Sequence, residues 1–193
     1  MRPETTGKRK VLTVGPETTL YRGKFLTLKS RPFVDSRSSL CGEWEYVVRK
    51  NKGRVVAVVG ITKDDELILT KTLRLPLGRE GEPVLEFCAG LPDREGESEE
   101  ELARRELLEE TGYTCKRIHP LVSGVISAGL TGDEMAIYFG SGATRVQEPK
   151  LEPAEDIEAV LVPKTKLRAL LSDPPAGLKV DLKLWALLPL LCE

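Results

Sequence analysis

The sequence predicts an α/β (α+β) fold, in which a mixed sheet lies between helices and an N-terminal extension of antiparallel strands precedes it. Short apolar runs that are typical of strands alternate with helical patterns along most of the chain, which favours a sheet covered by helices. Further strand patterns come before the first buried strand, so we separate residues 1–50, as an extension, from residues 51–193, as the main domain. A length of 193 residues is enough for one domain with such an addition.

The extension is predicted to contain two long strands that return on each other. Apolar residues recur along residues 18–34, and a cluster of turn-forming residues follows at Asp35–Ser39. Glu43–Arg49 then returns as a strand. The larger apolar residues on one face of that strand are Trp44, Tyr46 and Val48.

The main domain is predicted to contain several strands and two late helices. Arg54–Ile61 is an almost continuous apolar run, which is typical of a central strand that is buried on both faces. The later elements are predicted, in order, as strands at Leu67–Leu73, Val84–Phe87, 117–126 and 134–140, a loop at 141–154, a strand at Ile157–Val162, and helices at Lys164–Leu171 and Leu178–Leu191.

One further helix is predicted with both of its ends defined. Ser98 and Glu101 have the spacing of a capping box, and Gly112 lies where a left-handed C-terminal cap is favoured. Ala103 and Leu107 lie on one arc of this helix, beside its acidic residues, so we expect them to face the sheet. The pattern therefore predicts a strand, a loop and a helix in succession.

Three glutamates of this helix indicate a metal site. At about 100° per residue, Glu106, Glu109 and Glu110 fall within roughly a 100° arc. Glu106 and Glu110 lie one turn apart, and at about 5 Å with an effective dielectric of about 20 their repulsion is roughly 3 kcal/mol. A divalent cation would remove this cost, and oxygen ligands suit Mg²⁺, which shares its coordination shell with substrate phosphates. The segment therefore indicates metal-dependent phosphate chemistry.

Composition excludes several other classes of function. Lys and Arg total 29 against 30 Asp and Glu, so the chain shows no basic footprint for nucleic acid or a membrane. The N-terminus lacks the apolar core of a secretory signal, and Leu182–Cys192 is too short and interrupted for a membrane span. Four widely spaced cysteines predict reduced thiols and a cytoplasmic protein. The single histidine, His119, argues against zinc sites and catalytic triads.

The segment from Gly90 to Tyr113 resembles the Nudix box. Glu97 is followed, after seven residues, by the run RELLEETGY that begins at Arg105. Gly90 lies seven residues before Glu97 where the box has six, and a longer turn over Asp93–Gly96 can absorb the extra residue. A solvated acidic helix face is the alternative interpretation, but it does not explain the fixed positions of Arg105 and of the glycine in the run.

Two neighbouring segments, LTKTLRLPLG at 69–78 and VLEFCAGL at 84–91, resemble the ADP-ribose and nucleoside diphosphate sugar pyrophosphatase branch of the Nudix family. The resemblance implies a Nudix-type α/β/α sandwich that binds Mg²⁺, with Mn²⁺ as a substitute. It also implies that Arg105 pairs with the glutamates and orients them, which its bidentate fork suits. The implied metal ligands are the backbone carbonyl of Ala89 and the carboxylates of Glu97, Glu106, Glu109, Glu110 and Glu155.

The catalytic base is expected outside the box, because the metal occupies the box glutamates. In this branch the base, or a further metal ligand, comes from a loop before a late strand. The matching loop is 151–158, in which Glu155 is the first candidate and Glu152 the second. The resemblance thus assigns the chemistry to Glu109, Arg105 and Glu155: the metal neutralises the diphosphate and lowers the pKa of the attacking water, and a carboxylate takes the proton.

The resemblance also implies residues that bind the substrate. Arg74 would contact a phosphate or the terminal sugar, and Glu134 would approach the site from the start of a late strand. Phe25 and Trp44 match positions at which related dimers stack the base between subunits, and Arg49 matches a residue that contacts phosphate or base. A homodimer whose N-terminal strands embrace the partner is therefore expected.

Together these features predict Mg²⁺-dependent hydrolysis of the diphosphate bond of ADP-ribose or a related nucleoside diphosphate sugar, giving a nucleoside monophosphate and a sugar phosphate. Ala128 stands where the branch often has a proline associated with ADP-ribose, and the surrounding SAGLTGDE also resembles UDP-glucose-type enzymes. A UDP-glucose or GDP-sugar pyrophosphatase therefore stays open as an alternative. A catalytically inactive Nudix domain that senses a ligand is a second alternative, against which the intact glutamates argue.

Overall fold

A computed structural model describes residues 11–50, 53–77, 82–153 and 155–191. The chain divides into two units. The first unit holds the described residues before Gly53 together with Val125–Asp133, and the second holds Gly53–Gly124 with the described residues from Glu134 onward. A loop from the second half of the chain therefore belongs to the same unit as the N-terminal strands.

The first unit is built on an antiparallel sheet. Its strands are β1 (Leu12–Val14), β2 (Thr18–Arg22), β3 (Leu26–Asp35) and β4 (Cys41–Arg49). β3 is central: β4 pairs along one of its edges, and β2 and β1 share the other. The predicted strands at 18–34 and 43–49 and the turn between them are confirmed, but the extension has more strands than the two long ones expected, because β1 and β2 cover the second edge of β3.

Large apolar side chains of the first unit are unusually exposed. We call these residues the exposed apolar set, and they lie on all four strands and in the turns between them. Its members are Leu12, Val14, Leu20, Tyr21, Phe25, Leu26, Val34, Leu40 and Trp44. Large exposed apolar side chains in such number are typical of an interaction site.

The second unit is a mixed sheet with helices on both faces. Its strands are β5 (Val55–Thr62), β6 (Glu66–Leu73), β7 (Pro83–Glu86), β8 (Cys88–Gly90), β9 (Tyr113–Thr114), β10 (Arg117–Val125), β11 (Glu134–Arg145), β12 (Ile157–Pro163) and β13 (Lys179–Val180). Its helices are α1 (Glu99–Thr111), α2 (Lys164–Ser172) and α3 (Leu182–Leu191). The strand order is β10-β11-β5-β6-β7-β13, with β8 also paired to β5, β12 to β6 and β9 to β11. β11 runs parallel to β5, and β6 runs antiparallel to it, which makes the sheet mixed.

The core lies on both sides of β5. Val56 and Val58 are fully buried in the layer under α1, whereas Ala57 and Val59 are fully buried in the layer with α2 and α3. Successive residues of a strand point to opposite faces, so a strand covered on both faces must be apolar throughout. The predicted central strand and the α/β/α sandwich are both confirmed.

The sequence-based boundaries were wrong in two places. The loop predicted at 141–154 begins later, because β11 continues to Arg145 by pairing with β9 after an irregularity at Ser141/Ala143. The helix predicted from Leu178 begins at Leu182. Lys179 and Val180 instead form β13 against β7, and the Asp181 carboxylate accepts the Lys183 amide at the start of α3.

α3 packs into the core through its leucines. Leu184, Leu187, Leu188 and Leu191 are all buried, although Pro189 lies within the helix. None of the helices in the described part of the chain is long and apolar enough to cross a membrane.

Candidate functional site

α1 presents its acidic face because its ends and its apolar face are both fixed. The Ser98 hydroxyl accepts the Glu101 amide, and the Glu101 carboxylate accepts the Ser98 amide, as the predicted capping box requires. Gly112 ends the helix in the left-handed conformation with φ 77°. Ala103 and Leu107 are buried under the sheet, as expected. The remaining face therefore carries the arginine and glutamates of the box.

Arg105 is the centre of a network of ion pairs. Its side chain is only 10% exposed, and it bonds to Glu97 through Nε at 2.7 Å and Nη2 at 2.9 Å. Its Nη1 donates to Glu106 at 2.8 Å and to Glu109 at 3.0 Å, and Nη2 also reaches Asp93 at 2.7 Å. The guanidinium lowers the pKa of Glu97, and its carboxylate partners raise the pKa of Arg105.

Glu106, whose side chain is 12% exposed, and Glu110, which is buried, have carboxyls that resist ionisation. Burial raises the pKa of Glu106 to about 7, with opposition from Arg105 and a further increase from Glu109. Burial likewise raises the pKa of Glu110 to about 8, and repulsion from Glu106 adds to it. Two carboxyls that are costly to ionise side by side are typical of a functional site, and a cation between them would remove the cost.

β8 holds its backbone against these two glutamates. The Glu110 carboxyl takes hydrogen bonds from the Cys88 thiol and the Ala89 amide. At Gly90, an added Cβ would lie 2.1 Å from the Glu106 carboxyl carbon, so any side chain would occupy the place of the carboxylate. Ala89 therefore lies beside Glu110, and within the loop that follows, Gly96 has a φ of +81°.

Three carboxylates of the site, those of Glu97, Glu106 and Glu109, are paired with arginines. Both oxygens of Glu97 bond to Arg105, and those of Glu109 bond to Arg105 and to Arg94. Within residues 11–50, 53–77, 82–153 and 155–191, no three His, Cys, Asp or Glu side chains converge closely enough to hold a metal ion. The donors are all oxygen and fit a hard divalent cation, but side chains must rotate for several of them to reach one ion.

The loop before β12 distinguishes the two candidate bases. The Glu155 carboxylate accepts the Glu152 amide at 2.7 Å, which closes a short turn. Repulsion from Glu155 contributes to the raised pKa values of both Glu106 and Glu110. This places the charge of Glu155 near Glu106 and Glu110, whereas Glu152 is not among the main contributors to either pKa.

Two of the predicted substrate residues lie in the second unit. Arg74 forms an ion pair with Glu86, with Nε and Nη2 at 2.8 and 2.7 Å from the same oxygen. Arg74 is 48% exposed and Glu86 is buried, and burial raises the pKa of Glu86 despite this pairing. Glu134 is the exposed first residue of β11, and its charge helps to raise the pKa of Arg54.

The other three predicted substrate residues lie in the first unit, where two of them hold the loop Val125–Asp133. The Trp44 ring nitrogen donates to the Gly129 carbonyl at 3.1 Å, and Arg49 pairs with Asp133 at 2.7 Å. Phe25 is 68% exposed, with the Lys24 ammonium 4.9 Å from its ring centre.

Sequence reasoning missed two charged residues of the box loop. Asp93 and Arg94 were interpreted only as part of a turn, yet Asp93 bonds to Arg105 and Arg94 bonds to Glu109 at 3.1 Å. A sequence signal was present, because Asp93 and Arg94 carry charges opposite to those of Arg105 and Glu109 on the following helix.

Comparison with known proteins assigns the family. A NUDIX domain model matches residues 51–181, so the chain belongs to the NUDIX family. Its relatives include an ADP-ribose pyrophosphatase of Escherichia coli (strain K12), 33% identical over 144 residues, which are 72% of this chain and 66% of that protein. An ADP-ribose pyrophosphatase of Bacillus subtilis (strain 168) is 38% identical over 101 residues, which are 52% of each chain.

Two further comparisons concern substrate and fold. A GDP-mannose pyrophosphatase of Yersinia enterocolitica is 32% identical over 114 residues, which are 55% of this chain and 58% of that protein. A crystal structure of an ADP compounds hydrolase matches with a TM-score of 0.72 at 24% identity, covering 88% of this chain and 87% of the other, which shows the fold. The chain spans 66% of the length of the Escherichia coli relatives. Nudix hydrolases generally use a divalent metal ion.

Proposed function

We propose that the protein is a Mg²⁺-dependent hydrolase of the diphosphate bond of ADP-ribose or a related nucleoside diphosphate sugar. The products would be a nucleoside monophosphate and a sugar phosphate. The observation that carries this proposal is the pair Glu106 and Glu110, which lie one turn apart on α1 against the backbone of β8. The names of the Escherichia coli and Bacillus subtilis relatives support the choice of substrate.

In this proposal different side chains bind the metal ion, orient its ligands and accept the proton. Glu106 and Glu110, with the Ala89 carbonyl, would hold the cation, and Glu97 and Glu109 would complete its surroundings after rotating away from arginine. The bound Mg²⁺ would neutralise the diphosphate and make the attacking water more acidic. Before the cation binds, Arg105 would hold Glu97 through its bidentate contact, and its Nη1 would orient Glu106. Glu155 would accept the proton of the attacking water, since its charge lies near the buried pair.

We also propose which residues recognise the substrate. We assign Arg74 and Glu134 to the phosphate or terminal sugar, and Phe25, Trp44 and Arg49 to the base. Trp44 is 53% exposed while its ring nitrogen is bonded to Gly129, so one face of an oriented ring stays available for stacking.

We further propose a cytoplasmic homodimer in which residues 1–50 form the interface and part of the substrate site. The exposed apolar set supports an interface, because a second copy of the sheet would cover side chains that a monomer leaves in water. Cys41, Cys88 and Cys115 are free thiols, which supports a reducing compartment.

A GDP-sugar is the second candidate for the substrate. The GDP-mannose pyrophosphatase of Yersinia enterocolitica is similar over more than half of this chain, and this observation favours it over a UDP-sugar. The metal site would be the same in either case, so the two substrates differ only in the contacts to base and sugar.

Product release from a panel of substrates tests the proposal. ADP-ribose, GDP-mannose, UDP-glucose, NADH and a diadenosine polyphosphate would each be incubated with the protein and Mg²⁺, and the products resolved by chromatography. We expect AMP and ribose 5-phosphate from ADP-ribose at the highest kcat/KM. A preference for GDP-mannose would transfer the assignment to the second candidate, and turnover of none of the five would support a ligand sensor.

A further inference from the structure

Arg94 is a charged residue that the Nudix box does not specify. We propose that it holds Glu109 in the metal-free protein and then, once a divalent cation takes over that carboxylate, binds the diphosphate of the substrate. The substrate part of this inference rests on the proposed function. The metal part rests only on the glutamates and arginines of the site.

Glu109 lies between two guanidinium groups. Its Oε1 accepts Arg94 Nη2 at 3.1 Å, and its Oε2 accepts Arg105 Nη1 at 3.0 Å. Arg105 is 10% exposed and Arg94 is 58% exposed, so the two arginines approach Glu109 from the protein side and the solvent side respectively. A cation that arrives from solvent therefore meets Arg94 first.

The longer box loop sets the position of Arg94. Asp93, on one side of it, is tied to Arg105 at 2.7 Å. On the other side, the Glu97 amide donates to the Arg94 carbonyl at 3.3 Å, which closes a turn. These bonds hold the loop beside α1, and the bond from Nη2 to Glu109 shows that the Arg94 side chain points at the helix.

The Arg94 guanidinium has donors to spare, whereas that of Arg105 does not. Arg105 donates to Glu97, Glu106, Glu109 and Asp93. Among the side-chain hydrogen bonds of the described residues, Arg94 makes the one to Glu109, and it uses Nη2. The remaining N–H groups can donate to phosphate oxygens, for which the planar fork is suited.

Replacing Arg94 by a cation at the Glu109 carboxylate costs little free energy. An exposed ion pair such as Arg94–Glu109 contributes little, so a divalent cation can displace the guanidinium from the carboxylate. The displaced Arg94 would then face the position at which the cation brings the diphosphate. The negative charge of the diphosphate would replace that of Glu109 as the partner of Arg94. Arg94 would thus weaken metal binding slightly in the absence of substrate and strengthen substrate binding in its presence.

Replacing Arg94→Gln tests this pair of opposite effects. The control is Arg145→Gln, which removes an arginine of similar exposure, 50%, from a pair with Glu148 elsewhere on the surface. Mn²⁺ binding is titrated by electron paramagnetic resonance without substrate, and the affinity for α,β-methylene ADP-ribose is measured by calorimetry with Mn²⁺ present. We expect Arg94→Gln to bind Mn²⁺ about threefold more tightly, as loss of an exposed competing pair allows. We expect it to bind the analogue about tenfold more weakly, as loss of a charged hydrogen bond implies.

If Arg94 had a purely structural role, Arg94→Gln would weaken the binding of both Mn²⁺ and the analogue, and that result would overturn the proposal. An unchanged dissociation constant for either Mn²⁺ or the analogue would also overturn it. Arg94→Lys keeps the charge without the fork, so it should restore part of the affinity for the analogue. If the wild-type protein binds Mn²⁺ but not the analogue, the proposed substrate is wrong, and the substrate role of Arg94 is wrong with it. If the wild-type protein binds both and the variant shows no shift, only the assignment of Arg94 is wrong.

Discussion

At the scale of single residues, the site is a balance of charges that only partly follows from the sequence. The helical period predicted that Glu106, Glu109 and Glu110 share one face, and the structure places them there. The spacing could not predict which carboxylate each arginine pairs with, since that depends on side-chain rotamers and on the path of the box loop. Asp93 and Arg94 entered the network for this reason without being expected.

The assignment of the catalytic base to Glu155 gives a direct prediction. Glu155→Gln should lower kcat on ADP-ribose by about 100-fold or more, as loss of a general base does, while Mn²⁺ affinity changes little. Glu152→Gln is the matched control, because it lies in the same turn, and it should retain kcat within about twofold. Steady-state kinetics with saturating Mg²⁺ would measure both, and equal losses in the two variants would contradict the assignment.

The raised pKa values of Glu106 and Glu110 predict how stability depends on pH without metal. Their folded-state pKa values of about 7 and about 8 exceed the roughly 4.3 of an unfolded glutamate. Between these limits the folded state binds more protons than the unfolded state, so the free energy of unfolding falls as pH rises. The protons stabilise the fold fully below about pH 4, and their contribution is lost as pH passes through about 8.

Urea denaturation in EDTA at pH 5.5 and pH 8.5 would measure this dependence. The midpoint should be lower at the higher pH, and Glu110→Gln, which cannot ionise, should reduce the difference. Mg²⁺ should also reduce it, because the cation stabilises the ionised pair at high pH. A midpoint that rises with pH in EDTA would show that the pair ionises readily in the folded protein.

At the scale of elements, α1 was the most predictable part of the fold. Its caps are local chemistry, so Ser98 and Gly112 could be read from sequence alone. The end of β11 and the start of α3 could not, since β9 and β7 lie far from them along the chain and supply the pairings that decide them. Apolar runs predict that an element exists, whereas its last residues depend on partners.

The cap of α1 supports the site as well as the helix. Ser98→Ala should lower the free energy of unfolding by about 1 kcal/mol, because it leaves the Glu101 amide without its acceptor. Ser98→Asp keeps an acceptor and should remain within about 0.5 kcal/mol of the wild type. Urea denaturation compares the three proteins, and a Ser98→Ala variant as stable as the wild type would show that the cap contributes nothing.

At the scale of the whole molecule, the sequence located the NUDIX domain but not the extent of the first unit. Val125–Asp133 belongs to that unit through bonds such as Trp44 to Gly129 and Arg49 to Asp133, which join residues more than eighty positions apart. The Val47 amide adds a bond to the Leu130 carbonyl. Periodicity and turn signals carry no information about contacts of that range, so this assignment required the structure.

The proposed homodimer is tested by mass in solution. Light scattering should give about twice the 21.3 kDa of one chain. Leu20→Glu places a charge within the exposed apolar set and should give the monomer mass, whereas Thr18→Glu, on the same strand but polar already, should leave the dimer intact. A monomeric wild-type protein would contradict the proposal, and the exposed apolar set would then be assigned to binding a different molecule.

The central claim is that the buried glutamates of α1 bind a divalent cation that hydrolysis of a diphosphate requires. The most direct measurement is AMP release from ADP-ribose as a function of Mg²⁺ concentration, for the wild type and for Glu110→Gln, with Glu100→Gln as the exposed control on the same helix. We predict Mg²⁺-dependent release of AMP that Glu110→Gln reduces by at least about 100-fold. Loss of a metal ligand should lower activity at least as much as loss of a residue that hydrogen-bonds to a ligand. The control should match the wild type, and Glu110→Gln should melt at no lower temperature in EDTA. Turnover by Glu110→Gln equal to that of the wild type would contradict the account.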